Sequence, residues 1–206
     1  YLLAHKGNLK IHAYLTVLLL WNEQFENVGQ FPDSWLMRNS IGEIYLNPEN
    51  PDVIQHIADV IKDISEYSID GIALERVRYP DSYMIYKDAD DKWKNIKHRN
   101  EHKENREKSL DDLIKAIKNA TTIPIYMCVN ANGDDLDYDY AVNSAKWTKW
   151  LQRKWIDFAM PMLINKPLDH ILNWKPKLTN KMIPILGACY VDHQELRQQI
   201  AQFNSW

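Results

Sequence analysis

The stretch Ile69-Asp70-Gly71-Ile72-Ala73-Leu74-Glu75-Arg76-Val77-Arg78-Tyr79-Pro80 decides how this chain folds. An apolar run of strand length begins at Ile69 and ends on a carboxylate, two guanidiniums and a phenol before proline stops it. Side chains along a strand alternate between faces, so Gly71, Ala73 and Glu75 share one face while Ile72, Leu74 and Arg76 share the other. The first set suits the crowded inside of a barrel; the second packs under helices. Parallel α/β folds bind ligands outside the carboxyl ends of their strands, which makes Glu75 a catalytic candidate and leaves Asp70, at the opposite end, a structural role. The plain alternative is that Glu75 only pairs with Arg76 or Arg78.

Working outward, strands alternate with helices. Leu9 to Leu20 reads as a strand with His12, Tyr14 and Thr16 on one face, and a long loop then runs to about residue 48. Asn47-Pro48-Glu49-Asn50-Pro51-Asp52 starts a helix whose Val53, Ile54, Ile57, Ala58, Ile61 and Ile64 fall at helical spacing. After Pro80 a polar stretch extends to about Ser109, charged from Lys97 to Lys108, and reads as a solvated face. A helix from Leu110 to Ala120 feeds the strand Ile123 to Asn130; a Trp147/Trp150/Leu151 helix feeds Ile156 to Ile164; a short helix near Leu168 to Trp174 feeds Met182 to Tyr190; and a helix from Gln194 to Phe203 closes the chain. This is a parallel α/β pattern without the glycine-rich first turn of a doubly wound sheet. A complete (β/α)8 barrel takes about 250 residues, so 206 residues are read as one domain, 1–206, forming part of such a barrel.

Composition narrows the function classes. A formal charge of -3 supplies no basic stripe for nucleic acid, and no apolar run is long enough to span a bilayer. The start lacks both an initiating Met and a signal peptide's charged opening, so the chain is expected to be a segment of a longer protein. Cys128 and Cys189 fall two strands apart, about 10 Å, beyond the roughly 7 Å Cα separation that a disulfide spans. They are expected to be buried thiols. No Cys/His pair has zinc spacing and no phosphate-binding glycine loop occurs, so no metal or cofactor is expected.

Tyr45-Leu46-Asn47-Pro48-Glu49-Asn50-Pro51-Asp52-Val53, followed by Tyr67-Ser68 and the strand Ile69 to Pro80, resembles the glycosyl-hydrolase-like family of (β/α)8 barrels from bacterial envelopes, which includes the divisome-associated peptidoglycan glycosidase. Lys10-Ile11-His12-Ala13-Tyr14, Trp147 to Met162 and Leu186-Gly187-Ala188-Cys189-Tyr190 are similar to that family's third, sixth and seventh strands in the same order. The resemblance implies a fragment covering strands three to seven, an envelope or extracellular location, and an oligo- or polysaccharide substrate. Three positions depart from the family: Glu75 replaces an aspartate, Ile164 stands where tyrosine is frequent, and Gln152-Arg153-Lys154 replaces a glycine in the turn before strand six.

Glycoside hydrolysis needs two carboxyl groups flanking the bond, about 5–5.5 Å apart for retention and about 6.5–9.5 Å for inversion. Glu75 is the first. Asp134 and Asp192, at strand exits, are candidates for the second, with turn formation as their plain reading, while Asp157 starts its strand and belongs to the stability face. Arg78, Tyr79, Asn130 and Tyr190 lie at strand ends where they meet sugar hydroxyls, and Trp21 is a stacking platform. His12 reads as a hydrogen-bonded core histidine. The competing function is a glycan-binding barrel that has lost its catalytic chemistry.

Overall fold

A computed structural model describes residues 9–21, 30–39, 41–80, 84–87, 93–96, 103–131, 144–164, 166–186 and 192–203. Two sheets organise them. The first is parallel, with β1 (His12–Thr16), β5 (Gly71–Glu75), β8 (Ile125–Asn130), β9 (Phe158–Leu163) and β10 (Ile185–Leu186) side by side in chain order. Each new strand adds to the same edge and the order never reverses, which is how a barrel grows and a doubly wound sheet does not. The result is a curled five-stranded half barrel with helices on its convex side, matching part of a (β/α)8 fold.

The helices are α1 (Pro51–Ile64), α2 (Lys103–Ala120), α3 (Trp147–Gln152), α4 (Leu168–Trp174) and α5 (His193–Ala201). At the start of α1 the Asn50 side chain accepts a hydrogen bond from the Asp52 amide and Pro51 occupies the first turn, where its missing N–H does no harm. Val53, Ile57 and Ile61 then form the buried stripe of α1, which packs on α2 through Leu110, Leu113, Ile114 and Ile117. Ile72, Leu74, Ile125, Met127 and Val129 supply the sheet side of this core, confirming the alternation read around Glu75. The charged run before Leu110 is not loop throughout. Helix α2 begins at Lys103, and Arg106 is buried with its guanidinium 5.3 Å from the centre of the Tyr79 ring.

The amino ends of two strands are fastened in the same way. Asp70 Oδ2 accepts the Ile11 amide at 2.8 Å, and Asp157 Oδ2 accepts the Ile125 amide and Lys118 Nζ, each at 2.9 Å. Each aspartate precedes its own strand and clasps the backbone of the neighbouring one, the structural role expected of both.

The second sheet was not legible in the sequence. It is antiparallel, in the order β2 (Leu19–Trp21), β4 (Ile44–Leu46), β3 (Leu36–Asn39), β6 (Met84–Lys87), β7 (Trp93–Ile96), and apart from β2 it is built from segments read as loop or solvated polar stretch. The run Leu9 to Leu20 is therefore two elements: the Val17 amide still donates to the Glu75 carbonyl, and β2 then pairs with β4 in the other sheet. The β3–β4 turn is held by Asn39, whose Oδ1 accepts the Ile41 and Glu43 amides, with Gly42 at φ 85°.

On the concave face Gly71 is required by its neighbours. A Cβ there would stand 2.7 Å from Tyr126 Cε2 and 3.1 Å from the His12 ring, because His12 and Tyr126 meet over it with centroids 4.5 Å apart. Tyr126 stacks in turn on Phe158 at 4.7 Å. His12 thus belongs to an aromatic layer, but its buried Nε2 has no hydrogen-bond partner among the described residues, contrary to the fully bonded histidine expected.

Candidate active site

The carboxyl end of β5 brings the chemistry together. Parallel register sets Tyr14 beside Ala73 and Thr16 beside Glu75, and places Cys128 one step beyond the Leu74–Met127 pair on the other side. Thr16 Oγ1 lies 3.5 Å from Glu75 Oε2. Strand geometry ends at Glu75. Arg76 takes φ 58°, a left-handed conformation costly for a residue with a side chain, and this turns its guanidinium back toward Glu75 instead of leaving it under the helices. Arg76 Nε stands 3.8 Å from Glu75 Oε1, with the Glu75 side chain 22% exposed, so the pair is open rather than a closed fork.

Burial, then the Glu75 carboxylate, hold the Tyr14 phenol above its ordinary value. The residue as a whole is 60% exposed. Burial and the Glu75 charge push the Cys128 thiol up to about 11, outweighing the opposite pull of Tyr14 and Arg78. Beside this group, Tyr45 Oη donates to Glu43 Oε2 at 3.0 Å and Asn39 Nδ2 donates to the same oxygen at 2.5 Å. Burial and Glu43 raise the Tyr45 phenol, while Arg76 and Arg78 act on it in the opposite sense.

The residues singled out from sequence divide accordingly. Glu75 ends β5, and Asn130 ends β8 and is buried. Tyr79 does not reach the mouth. It is 0% exposed, its hydroxyl 2.8 Å from Ser109 Oγ and 3.3 Å from Glu49 Oε1, because the chain turns outward after Arg76 and docks the ring beneath α2. Asp192 caps α5, its Oδ1 accepting the Glu195 amide at 2.8 Å, so the turn reading applies to it. Asp134 and Tyr190 lie outside the described residues, as does Cys189; Trp21 ends β2, and only its backbone is described. Cys128 is a buried free thiol, as expected. Reading by motif missed Tyr14, Thr16, Cys128 and the Glu43–Tyr45 pair as partners of the site. The alternation in Leu9 to Leu20 held the signal for the first two, but their register against Glu75 did not exist until the strands paired.

No protein-family model and no curated protein sequence matches the chain. Solved structures do. The glycoside hydrolase domain of PgaB (BpsB) from Bordetella bronchiseptica superposes with a TM-score of 0.67 at 15% identity, over 98% of this chain and 69% of that one. The glycoside hydrolase domain of PelA from Pseudomonas aeruginosa gives 0.51 at 12% identity, covering 92% and 82%, and Ega3 of Aspergillus fumigatus, solved with galactosamine, gives 0.50 at 12%, covering 94% and 70%. At such identities the likeness establishes the fold, a half barrel of the kind on which these glycoside hydrolase domains are built.

Proposed function

We propose that this chain forms part of a glycoside hydrolase that cleaves O-glycosyl bonds in an envelope or extracellular polysaccharide, with Glu75 as a catalytic carboxylate. The observation that carries the reading is the place of Glu75: the last residue of β5, on the concave face, at the carboxyl end of a half barrel whose structural neighbours include glycoside hydrolase domains. Arg78 and Asn130 serve as sugar hydrogen-bonding groups, with Tyr190 and Trp21 as further contacts. Asp134, four residues after the last residue of β8 in sequence, is the proposed second carboxylate. Among the described residues no helix is long and apolar enough to cross a membrane. The envelope or extracellular location follows the resemblance to bacterial envelope enzymes.

The alternative, a glycan-binding barrel without turnover, draws on one observation: Asp192 is engaged as a helix cap and so is a poor choice for the second carboxylate. Glu75→Gln separates the two readings. Assayed by reducing-end release from a panel of bacterial polysaccharides, the substitution lowers turnover by about 100-fold or more while sparing polysaccharide binding. Binding by the unsubstituted protein with no release from any member of the panel would instead establish the binding module.

A further inference from the structure

The end of the half barrel opposite Glu75 carries a charge pattern that the hydrolase reading does not use. The amino end of β9 gathers cations from separate segments of the chain. Lys115 Nζ of α2 and the Arg153 guanidinium carbon of the α3–β9 turn both stand over the Trp155 indole, 4.8 and 5.3 Å from its centre. Two residues further on, Asp157 pairs with Lys118 Nζ at 2.9 Å, and Lys181 Nζ of the α4–β10 connection lies 4.8 Å from the centre of the Phe158 ring. The Lys181 carbonyl accepts the Ala159 amide, which fixes that connection against the start of β9. Aromatic faces attract such cations without neutralising them. Among the described residues, carboxylates pair with Lys115, through Asp112, and with Lys118, while Arg153, Lys154 and Lys181 are exposed and make no ion pair. Residues 175–184 add Lys175 and Lys177 and contain no acid. The acids of this end, Asp63, Glu66 and Asp70, belong to α1 and its connection into β5, which leaves the basic excess on the β9–β10 side.

The backbone adds a second observation. Lys154 holds φ 59° at an exposed turn, a conformation that glycine adopts without steric cost. A charged side chain kept at a strained, exposed position contributes something other than stability.

We propose that the amino end of β9 and β10 is a docking face for an anionic lipid bilayer, with Arg153, Lys154 and Lys181 as its principal contacts. Ile183, 45% exposed, and the half-buried Trp155 stand among these cations. That mixture of basic and apolar groups suits headgroups and the acyl boundary together, whereas a soluble polyanion needs charge alone. Glu75 ends β5 at the other end of the parallel strands, so a chain held this way turns its mouth away from the bilayer. The formal charge of -3 is compatible with such a face, because these cations meet only when α2, the α3–β9 turn and the α4–β10 connection pack together. Docking goes beyond the hydrolase reading and holds whether or not the mouth cleaves sugars.

Co-sedimentation with lipid vesicles tests the face directly. Vesicles of phosphatidylglycerol and phosphatidylcholine in equal parts bind the chain, phosphatidylcholine alone does not, and raising salt from about 0.05 to 0.5 M releases it. Lys154→Gly, which relieves the turn and keeps the fold, weakens binding about fivefold. Arg153→Glu combined with Lys181→Glu weakens it about 100-fold or more, whereas Arg197→Glu, a charge reversal on α5, alters it by less than about twofold. No binding to the anionic vesicles, or equal binding to both kinds, overturns the proposal. So does anionic binding that Lys154→Gly and the double substitution leave unchanged. Long-chain polyphosphate bound through this face while vesicles are ignored overturns the bilayer as the partner. Sugar release from soluble polysaccharide is unaffected by Lys154→Gly, so the docking face and the hydrolase reading stand or fall separately.

Discussion

Two residues show how local backbone demands are met in this chain. Gly71 is a glycine because the rings of His12 and Tyr126 occupy the space its side chain would take. Lys154 is the reverse case, an ordinary residue at φ 59° in the turn before β9, where the resembling family uses glycine. The pair makes a prediction of opposite signs. Gly71→Ala overpacks the aromatic layer and lowers stability by about 1–3 kcal/mol. Lys154→Gly relieves the left-handed strain and, after the extra chain entropy of glycine, leaves the protein as stable or up to about 1 kcal/mol more so. Midpoints of urea unfolding at unchanged m-value measure both, and a destabilised Lys154→Gly would show that the turn is held by its side chain. At this scale the sequence was informative about residue type and silent about contact. Glu75 was legible as a strand-end carboxylate, whereas the burial of Tyr79 was not, because an exit of Val77-Arg78-Tyr79-Pro80 looks the same whether it leads into the mouth or under α2.

Between elements, the joint of α2 with α3 carries a linked set of charges. Lys146 Nζ and Lys149 Nζ donate to Glu107 Oε1 at 2.8 and 3.1 Å, while Lys149 Nζ and the indole of Trp150 donate to the two oxygens of Asp111 at 2.5 and 2.6 Å. Burial works against the Glu107 charge, but the hydrogen bonds from Lys146 and Lys149 outweigh it and hold the carboxyl below its ordinary value. Its folded value therefore lies under its unfolded one of 4.5, so this stabilisation is present above that pH and is lost as pH falls through the folded value. Unfolding free energy measured from pH 7 down to pH 3 falls more steeply for the native chain than for Glu107→Gln, and parallel curves would show that the joint does not depend on this charge. The helices themselves were legible, since their apolar spacing is a local property. The network was not, because it joins residues about forty positions apart and its members look like ordinary surface charges in sequence.

Over the whole molecule, the parallel sheet stops short of closure in the described residues. Among the described residues β1 pairs with β5 alone and β10 with β9 alone, which leaves a row of backbone donors and acceptors at each end of the described half barrel. Unpaired parallel edges recruit other strands. A polypeptide of residues 1–206 is accordingly expected to associate, its weight-average sedimentation coefficient rising with concentration and the rise diminishing when Leu15→Lys places charge on the β1 edge. A constant coefficient across the range would mean that the edges are covered.

Periodicity and strand-end chemistry determined, without coordinates, that the chain is a parallel α/β half barrel and that Glu75 stands at its carboxyl end, since both follow from residues that are neighbours in sequence. Only the tertiary structure decided which residues surround Glu75, that the long connections form a second sheet, and that Tyr79 and Asp192 serve packing and capping. Those outcomes depend on register and on the direction of chain exits, which are fixed when strands distant in sequence pair and bury their faces together.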